Sequence, residues 1–217
     1  MAPLQLIIGN KAYSSWSLRP WLLMRQKDIE FTEIRLPLYT TIWQEQVGNY
    51  SPTGKVPVLV DAAVTVWDSL AICEYLADKF PERGMWPSAS EGRAIARAIS
   101  AEMRSGFPKL RTDMPMNMRR RISGKERGSG ITNEIARIVS IWNDVRSRFG
   151  DGGPFLFGEF SIADAMCAPV VSRFATYSVV LDGTAARYSQ TMLRLPTLHE
   201  WYTEAQSETE VISGYEL

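Results

Sequence analysis

An α/β unit followed by an all-α unit is the fold class that this 217-residue sequence predicts. Three observations carry the prediction. Short apolar runs alternate with helix-like stretches up to residue 80; PERGMWPSAS (81–90) then places two prolines and a glycine in sequence; and beyond it strand signals nearly vanish while helical periodicity persists. The chain accordingly divides into residues 1–80, a linker at 81–90, and residues 91–217.

LQLII (4–8), ended by Gly9-Asn10, reads as a buried strand. SLRPWLLMRQK follows as a helix with Leu18, Trp21, Leu22 and Met24 on its apolar side. Pro20 is tolerated because it falls in the first turn, which has no use for its missing N–H. IEFTEIRL (29–36) predicts a second strand, although its apolar phase slips between Phe31 and Ile34. After a polar stretch containing Trp43, VPVLVD (56–61) and VTVW (64–67) predict an antiparallel hairpin. DSLAICEYLADKF (68–80) predicts a helix capped by Asp68 or Ser69. In the second unit, the spacing of Ile135, Ile138, Val139, Trp142, Val145 and Phe149 predicts an amphipathic helix over 132–149 with Thr132 as its cap. A further helix begins near Ser161, with Asp164 three residues on, close to a capping box.

Lys plus Arg and Asp plus Glu both number 24, so no global field favours nucleic acid or an anionic membrane, and neither is expected as a partner. No apolar run approaches the ~20 residues of a spanning helix, and the N-terminus lacks a secretory pattern, which predicts a cytoplasmic protein. Cys73 and Cys167 stand apart in apolar surroundings without metal-ligand spacing, so both read as buried, inert thiols and no metal is expected. The single histidine, His199, argues against His-based triads and reads as a residue on the surface of a C-terminal helix. The run Arg119–Arg121, with Lys125 and Arg127 nearby, reads as a solvated basic face.

Chemistry points to three places, each with a plain reading. AYSSWSLRPW (12–21) sets serines at a helix N-terminus, where an anion such as a thiolate is stabilised. Val56-Pro57 stands at a strand entry, where a trans proline is the default. Asp68-Ser69 stands at another helix start, suited to capping or to a carboxylate ligand.

Together, YSSWSLRP, NYSPTGKVPVLVD, VWDSLAICEYLADKFP and GEFSIADAMCAP (158–169), in this order, resemble the glutathione transferase superfamily over nearly the whole chain. The resemblance implies a thioredoxin-like N-terminal domain, an all-helical C-terminal domain, glutathione as co-substrate and a homodimer. It implies that Val56 pairs its backbone with the cysteinyl part of glutathione ahead of a cis Pro57. Asp68 and Ser69 would hold the γ-glutamyl end, and Lys55, with Trp43, would lie near the glycyl carboxylate. Ser161 and Asp164 match the family's N-capping box. SSWSLR is similar to the SSCSxR signature of the zeta class, whose first serine activates the thiol. That points to Ser14 as the catalytic hydroxyl, with Tyr13 and Ser15 as rivals; Ser15 is also a candidate ligand contact, and Ser15 and Ser17 are candidate caps. Trp16 replaces the class's cysteine and Pro20 its valine. AEMRSGFPKLRTDMPMN (101–117) resembles a stretch of bacterial members.

Ser14 to Ser17 is Ser-x-x-Ser, so this motif forms no protein dithiol and the thiol must come from the ligand. A free thiol of pKa ~8.5 is only a few per cent thiolate at pH 7, and a hydroxyl donating to sulfur at a helix N-terminus raises that fraction. Arg19 reads as half of a structural ion pair or as a source of positive field. An electrophile pocket is expected between the domains, with Phe107, Leu110, Met114 and Met116 as candidate lining residues. Conjugation to small hydrophobic electrophiles is the leading expectation; a glutathione-dependent isomerase or peroxidase, and a non-catalytic glutathione-binding protein, are the alternatives.

Overall fold

A computed structural model of the chain describes residues 3–123 and 128–216. Four strands, β1 (Leu4–Ile8), β2 (Phe31–Arg35), β3 (Val58–Asp61) and β4 (Val64–Trp67), form one mixed sheet in the order β2-β1-β3-β4. β1 runs parallel to β2, with Ile7 opposite Ile34, and antiparallel to β3, with Leu6 opposite Leu59; β3 and β4 are the expected hairpin, Val58 opposite Trp67. Helices α1 (Ser15–Gln26) and α3 (Ser69–Lys79) adjoin this sheet, and α2 (Thr41–Tyr50) stands between β2 and β3 in the chain. The described helices beyond are α4 (Ser90–Ser105), α5 (Pro108–Asp113), α6 (Ser129–Phe149), α7 (Ile162–Thr176), α8 (Gly183–Leu193) and α9 (Pro196–Ser207).

The apolar run of β1, interrupted only by half-buried Gln5, follows from burial on both faces. Leu4, Leu6 and Ile8 join the main core with α1 and α3, whereas Ile7 joins Val58 and Val47 of α2 in a second, smaller cluster. The same two faces explain the slipped phase of β2, because Phe31 packs on the first cluster and Ile34 on the second. α2 escaped sequence reading because Val47 is its only buried residue, so it has no apolar stripe; Thr40 caps it by accepting from the Trp43 N–H at 3.2 Å.

Three local expectations are corrected. α1 begins at Ser15 with Ser14 as its cap, so capping falls to Ser14 rather than Ser15 or Ser17. Pro20 is therefore the sixth residue, past the first turn, and the Trp16 carbonyl loses its helical partner. α6 starts three residues before Thr132, and the Thr132 hydroxyl donates back to the Gly128 carbonyl instead of capping. By contrast, Ser161 and Asp164 form the full capping box of α7: Asp164 Oδ2 accepts from the Ser161 N–H and hydroxyl, both at 2.9 Å, and Oδ1 from the Leu156 N–H at 3.0 Å.

α7 is buried almost all round and packs against α1. Lys11, 2% exposed, lies over the Trp21 and Trp201 rings and pairs with Glu33 and Glu204, fastening the strand end to α9. After α9 the chain returns to the sheet domain: Glu208 accepts the N–H groups of Lys11 and Ala12 at 2.6 and 2.9 Å. Arg119 donates to the Glu208 and Glu210 carbonyls at 2.6 and 2.8 Å, so it clamps this returning segment rather than forming a solvated face. Gly124, Lys125 and Arg127 lie outside the described residues. His199 is exposed on α9, as expected.

Candidate functional site

The N-terminus of α1, the β3 entry and the N-terminus of α3 converge on two adjoining clefts. One, of about 420 Å³, is lined by Lys55, Val56, Pro57, Trp67, Asp68, Ser69 and Arg104 among others. The second, of about 470 Å³, takes in Tyr13, Ser14, Ser15, Lys55, Val56, Arg111, Arg173 and Tyr215. Trp16, Lys55 and Val56 line both.

The Val56–Pro57 bond is cis. Val58, the next residue but one, enters β3, and the backbone of Val56 is left outside the ladder. Ser51 secures this approach by accepting from the Lys55 N–H at 3.0 Å and donating to the Lys55 carbonyl at 2.6 Å. Asp68 caps α3, Oδ1 accepting from Leu70 N–H at 2.9 Å, from a left-handed backbone at φ 74°. For a non-glycine residue that conformation costs about 1–3 kcal/mol, and such strain concentrates where a site dictates geometry. Its Oδ2 takes both Nε and Nη2 of Arg104, at 2.9 and 2.7 Å. Ser69 is buried beside it and accepts from Arg19 Nη1 at 3.3 Å.

The three candidate hydroxyls differ. Tyr13 is already engaged: its O–H lies 2.5 Å from Glu216 Oε1, Arg119 donates to it, and its ring meets Tyr215 edge-on at 5.5 Å. Burial and the Glu216 bond raise its pKa, which opposes a tyrosinate. Ser15 Oγ accepts from Arg173 Nη2 at 3.3 Å. Ser14 Oγ lies 2.7 Å from Ser17 Oγ and accepts, at a long 3.4 Å, from the Ser17 N–H. Ser17 is fully buried, and its oxygen already accepts the Gly9 N–H at 3.1 Å. Among the described residues the one acceptor within reach of the Ser17 proton is Ser14 Oγ, so Ser17 donates to Ser14. The chain Gly9 N–H, Ser17 O–H, Ser14 O–H therefore ends on a proton that Ser14 is free to give into the cleft.

Among the described residues Arg19 forms no ion pair, contrary to its plain sequence reading. It is 1% exposed, donates to Ser69 Oγ and, at 3.0 Å, to the Met103 carbonyl, and leaves Nε without a partner. Burial, then the guanidiniums of Arg111 and Arg173, push its pKa down to about 9. Trp16 lies between two cations, with Arg19 at 4.4 Å and Arg111 at 4.8 Å from its ring centre. Phe107, Leu110, Met114 and Met116, expected to line the electrophile pocket, are instead buried in the main core. The aromatic lining comes from Tyr13, Trp16, Tyr39, Trp43 and Tyr215. Tyr39 lies on a loop and Tyr215 at the far end of the chain, where no local pattern marks them. No group of three or more His, Cys, Asp or Glu placed to hold a metal ion occurs among the described residues. No described helix is long and apolar enough to cross a membrane.

Residues 13–79 match the family described as glutathione S-transferase, N-terminal domain, and residues 128–204 its C-terminal domain. Glutathione S-transferase Z2 of Arabidopsis thaliana is 26% identical, over 92% of this chain and 93% of that protein. A probable maleylacetoacetate isomerase of Caenorhabditis elegans is 23% identical over 90% of this chain and 91% of its own. The crystal structure of a glutathione transferase homologue from Burkholderia GL BGR1, with bound glutathione, superposes with a TM-score of 0.72 at 22% identity, covering 95% of this chain and all of that one. The chain belongs to the glutathione S-transferase superfamily: a thioredoxin-like domain with a small mixed sheet, followed by a helical domain.

Proposed function

We propose that the chain is a glutathione transferase of a bacterial, serine-activated type. It binds glutathione across the two clefts, and the glutathione thiolate attacks small electrophiles with apolar bodies. In this reading Ser69 and the strained, Arg104-braced Asp68 hold the γ-glutamyl end. The free backbone of Val56 pairs with the cysteinyl unit, Lys55 and Trp43 meet the glycyl carboxylate, and Ser15 adds a contact beside the sulfur. Ser14 keeps its proton and donates a hydrogen bond to the sulfur, which favours the thiolate. The sulfur then bonds to the electrophilic carbon, the leaving group departs with its electron pair, and the thiol proton passes to solvent.

The single observation that carries this reading is the placement of Ser14, whose Oγ lines the cleft 2.7 Å from the buried Ser17 Oγ, itself an acceptor of the Gly9 N–H. Its test is retention on immobilised glutathione, followed by turnover of a panel of electrophiles and hydroperoxides; retention without turnover of any of them favours a binding protein instead. Glutathione-dependent isomerisation is the second reading, favoured by the zeta-class and isomerase relatives. It is tested by following cis–trans isomerisation of an unsaturated diacid at catalytic glutathione. We take residues 1–80, 81–90 and 91–217 as domain, linker and domain, and a cytoplasmic homodimer as the working form. Exposed Val64 and Trp67 on the edge strand β4 offer apolar surface for the dimer, and light scattering of the purified chain tests it.

A further inference from the structure

Many arginines that face water are paired with carboxylates, as in Arg25–Glu200, Arg97–Glu74, Arg137–Glu102 and Arg148–Glu91. Among the described residues, three arginines drawn inward near the clefts, Arg19, Arg111 and Arg173, make no ion pair. Arg173, 4% exposed, gives Nε to the Met114 carbonyl, Nη1 to the Pro169 carbonyl and Nη2 to Ser15 Oγ, at 2.9, 3.2 and 3.3 Å. Arg111 gives its donors to the carbonyls of Gly106, Met103 and Arg104 at 3.0, 2.5 and 3.2 Å. Arg19 and Arg111 share the Met103 carbonyl and both lie against Trp16, so the charges are neighbours.

Every acceptor these three use is neutral. Glu134 attracts Arg111 from beyond ion-pair distance, and its oxygens are occupied by the N–H groups of Lys109 and Leu110 at 3.2 and 2.7 Å. Asp68 is committed to Arg104. Burial and mutual repulsion push Arg173 down to about 10 and Arg19 to about 9, values at which both stay charged near neutrality. Unpaired buried charge is costly, and a folded protein keeps it where something else supplies the counter-charge. A thiolate supplies one negative charge against three guanidiniums, and Arg173 reaches that end of the cleft through Ser15. Arg111 and Arg173 line the cleft that also holds Ser14 and Ser15, together with Tyr39 and Tyr215.

We propose, resting on the glutathione reading above, that the electrophile accepted by this chain is an acid: its anionic oxygen group, a carboxylate in the simplest case, docks on Arg111 and Arg173, and its apolar body lies among Tyr39 and Tyr215. This narrows the substrate class from hydrophobic electrophiles to amphipathic anions.

The test uses a pair of chloroarenes that differ at one group, the anion 4-chloro-3,5-dinitrobenzoate and its neutral methyl ester. In both, the glutathione sulfur bonds to the ring carbon, the carbon–chlorine bond breaks, chloride leaves with the pair and the thiol proton goes to solvent. With glutathione saturating, kcat/KM for each is divided by its uncatalysed rate constant. The acid is expected to exceed the ester by about tenfold or more, the value of one charge-assisted contact. Arg111→Gln brings the ratio to within about twofold of one, and Arg111→Lys retains part of the preference. A wild-type ratio of one or less, in protein that calorimetry shows to bind glutathione, overturns the anion site and leaves the glutathione reading intact; it is also the result expected if the glycyl carboxylate of glutathione itself occupies the arginines. Absence of glutathione binding overturns the glutathione reading first. Should the glutamine variant not fold, or neither arene turn over, affinity decides. Glutathione-loaded wild type binds 3,5-dinitrobenzoate about tenfold or more tightly than its methyl ester, and equal affinities overturn the proposal.

Discussion

Replacing Ser14 by alanine removes the terminal donor of the Gly9–Ser17–Ser14 chain, and its effect can be worked out before it is measured. A hydrogen bond to a charged group contributes about 1.5–3 kcal/mol, which is roughly one to two pKa units at 1.36 kcal/mol each. At the upper limit of two units the bound glutathione thiol falls from the free value of ~8.5 to ~6.5, and Ser14→Ala returns it toward ~8.5. At pH 7 the thiolate fraction falls about 25-fold at the upper limit. Thiolate nucleophilicity rises with pKa with a slope of about 0.4–0.5, which restores some eightfold, so the net loss of rate is only about threefold. The same trade makes the variant overtake the wild type once pH exceeds about 7.6, roughly one unit below the free thiol value. The assay is the pH profile of conjugation at saturating glutathione, supported by titration of the thiolate's ultraviolet absorbance in the binary complex. A shifted midpoint with a crossing of the two profiles is the expected result; an unmoved midpoint would refute the assignment. Ser17→Ala, which removes the donor that orients Ser14, shifts the midpoint in the same direction by less. The stability cost of Ser14→Ala is at the low end of the ~0.5–2 kcal/mol typical of a lost cap, because the cap bond is long at 3.4 Å.

Three further outcomes follow from the geometry. Tyr13→Phe leaves the thiol midpoint unchanged, since its hydroxyl is held by Glu216 and Arg119, but frees the C-terminal segment, which is read as faster amide exchange at Ile212, whose N–H also reaches that hydroxyl. Asp68→Asn keeps the α3 cap, for which asparagine serves as well, yet loses the charge that braces Arg104. Glutathione Kd, measured by calorimetry, rises about tenfold while the melting temperature moves by a few degrees at most. Cys73 and Cys167 are buried, with thiols pushed up by burial, Cys167 to about 12. A disulfide reagent therefore finds no reactive cysteine in the native protein and both after denaturation.

Much of the fold was legible because its signals are local. β1 and β4 fall on the residues their apolar runs mark, and the capping box at Ser161 and Asp164 was visible as a spacing of three. What failed lacked a local signal. α2 buries one residue, so it shows no periodicity. The start of α1 was read two residues late because the serines were weighed as alternative caps, and the position of Pro20 shifted with it.

The clefts divide along the same line. Val56, Pro57, Asp68 and Ser69 sit where two helix or strand entries meet, and short motifs name such places; the cis bond at Pro57 was implied by resemblance rather than by the residues. Their opposite wall is assembled from α5, α7 and the C-terminus, through Arg111, Arg173 and Tyr215, which are separated by 62 and 42 residues in sequence. Nothing in the local sequence distinguishes these arginines from the paired ones on the surface. Their difference is the absence of a carboxylate, and a missing partner is a property of the packed structure alone. The apolar residues chosen from sequence to line that wall were the ones the core needed more, since Leu110, Met114 and Met116 are at most 1% exposed. A helix at a domain interface gives its apolar face to the core and turns its polar residues toward the cleft, so specificity in this family member is carried by side chains that hydrophobic patterning passes over.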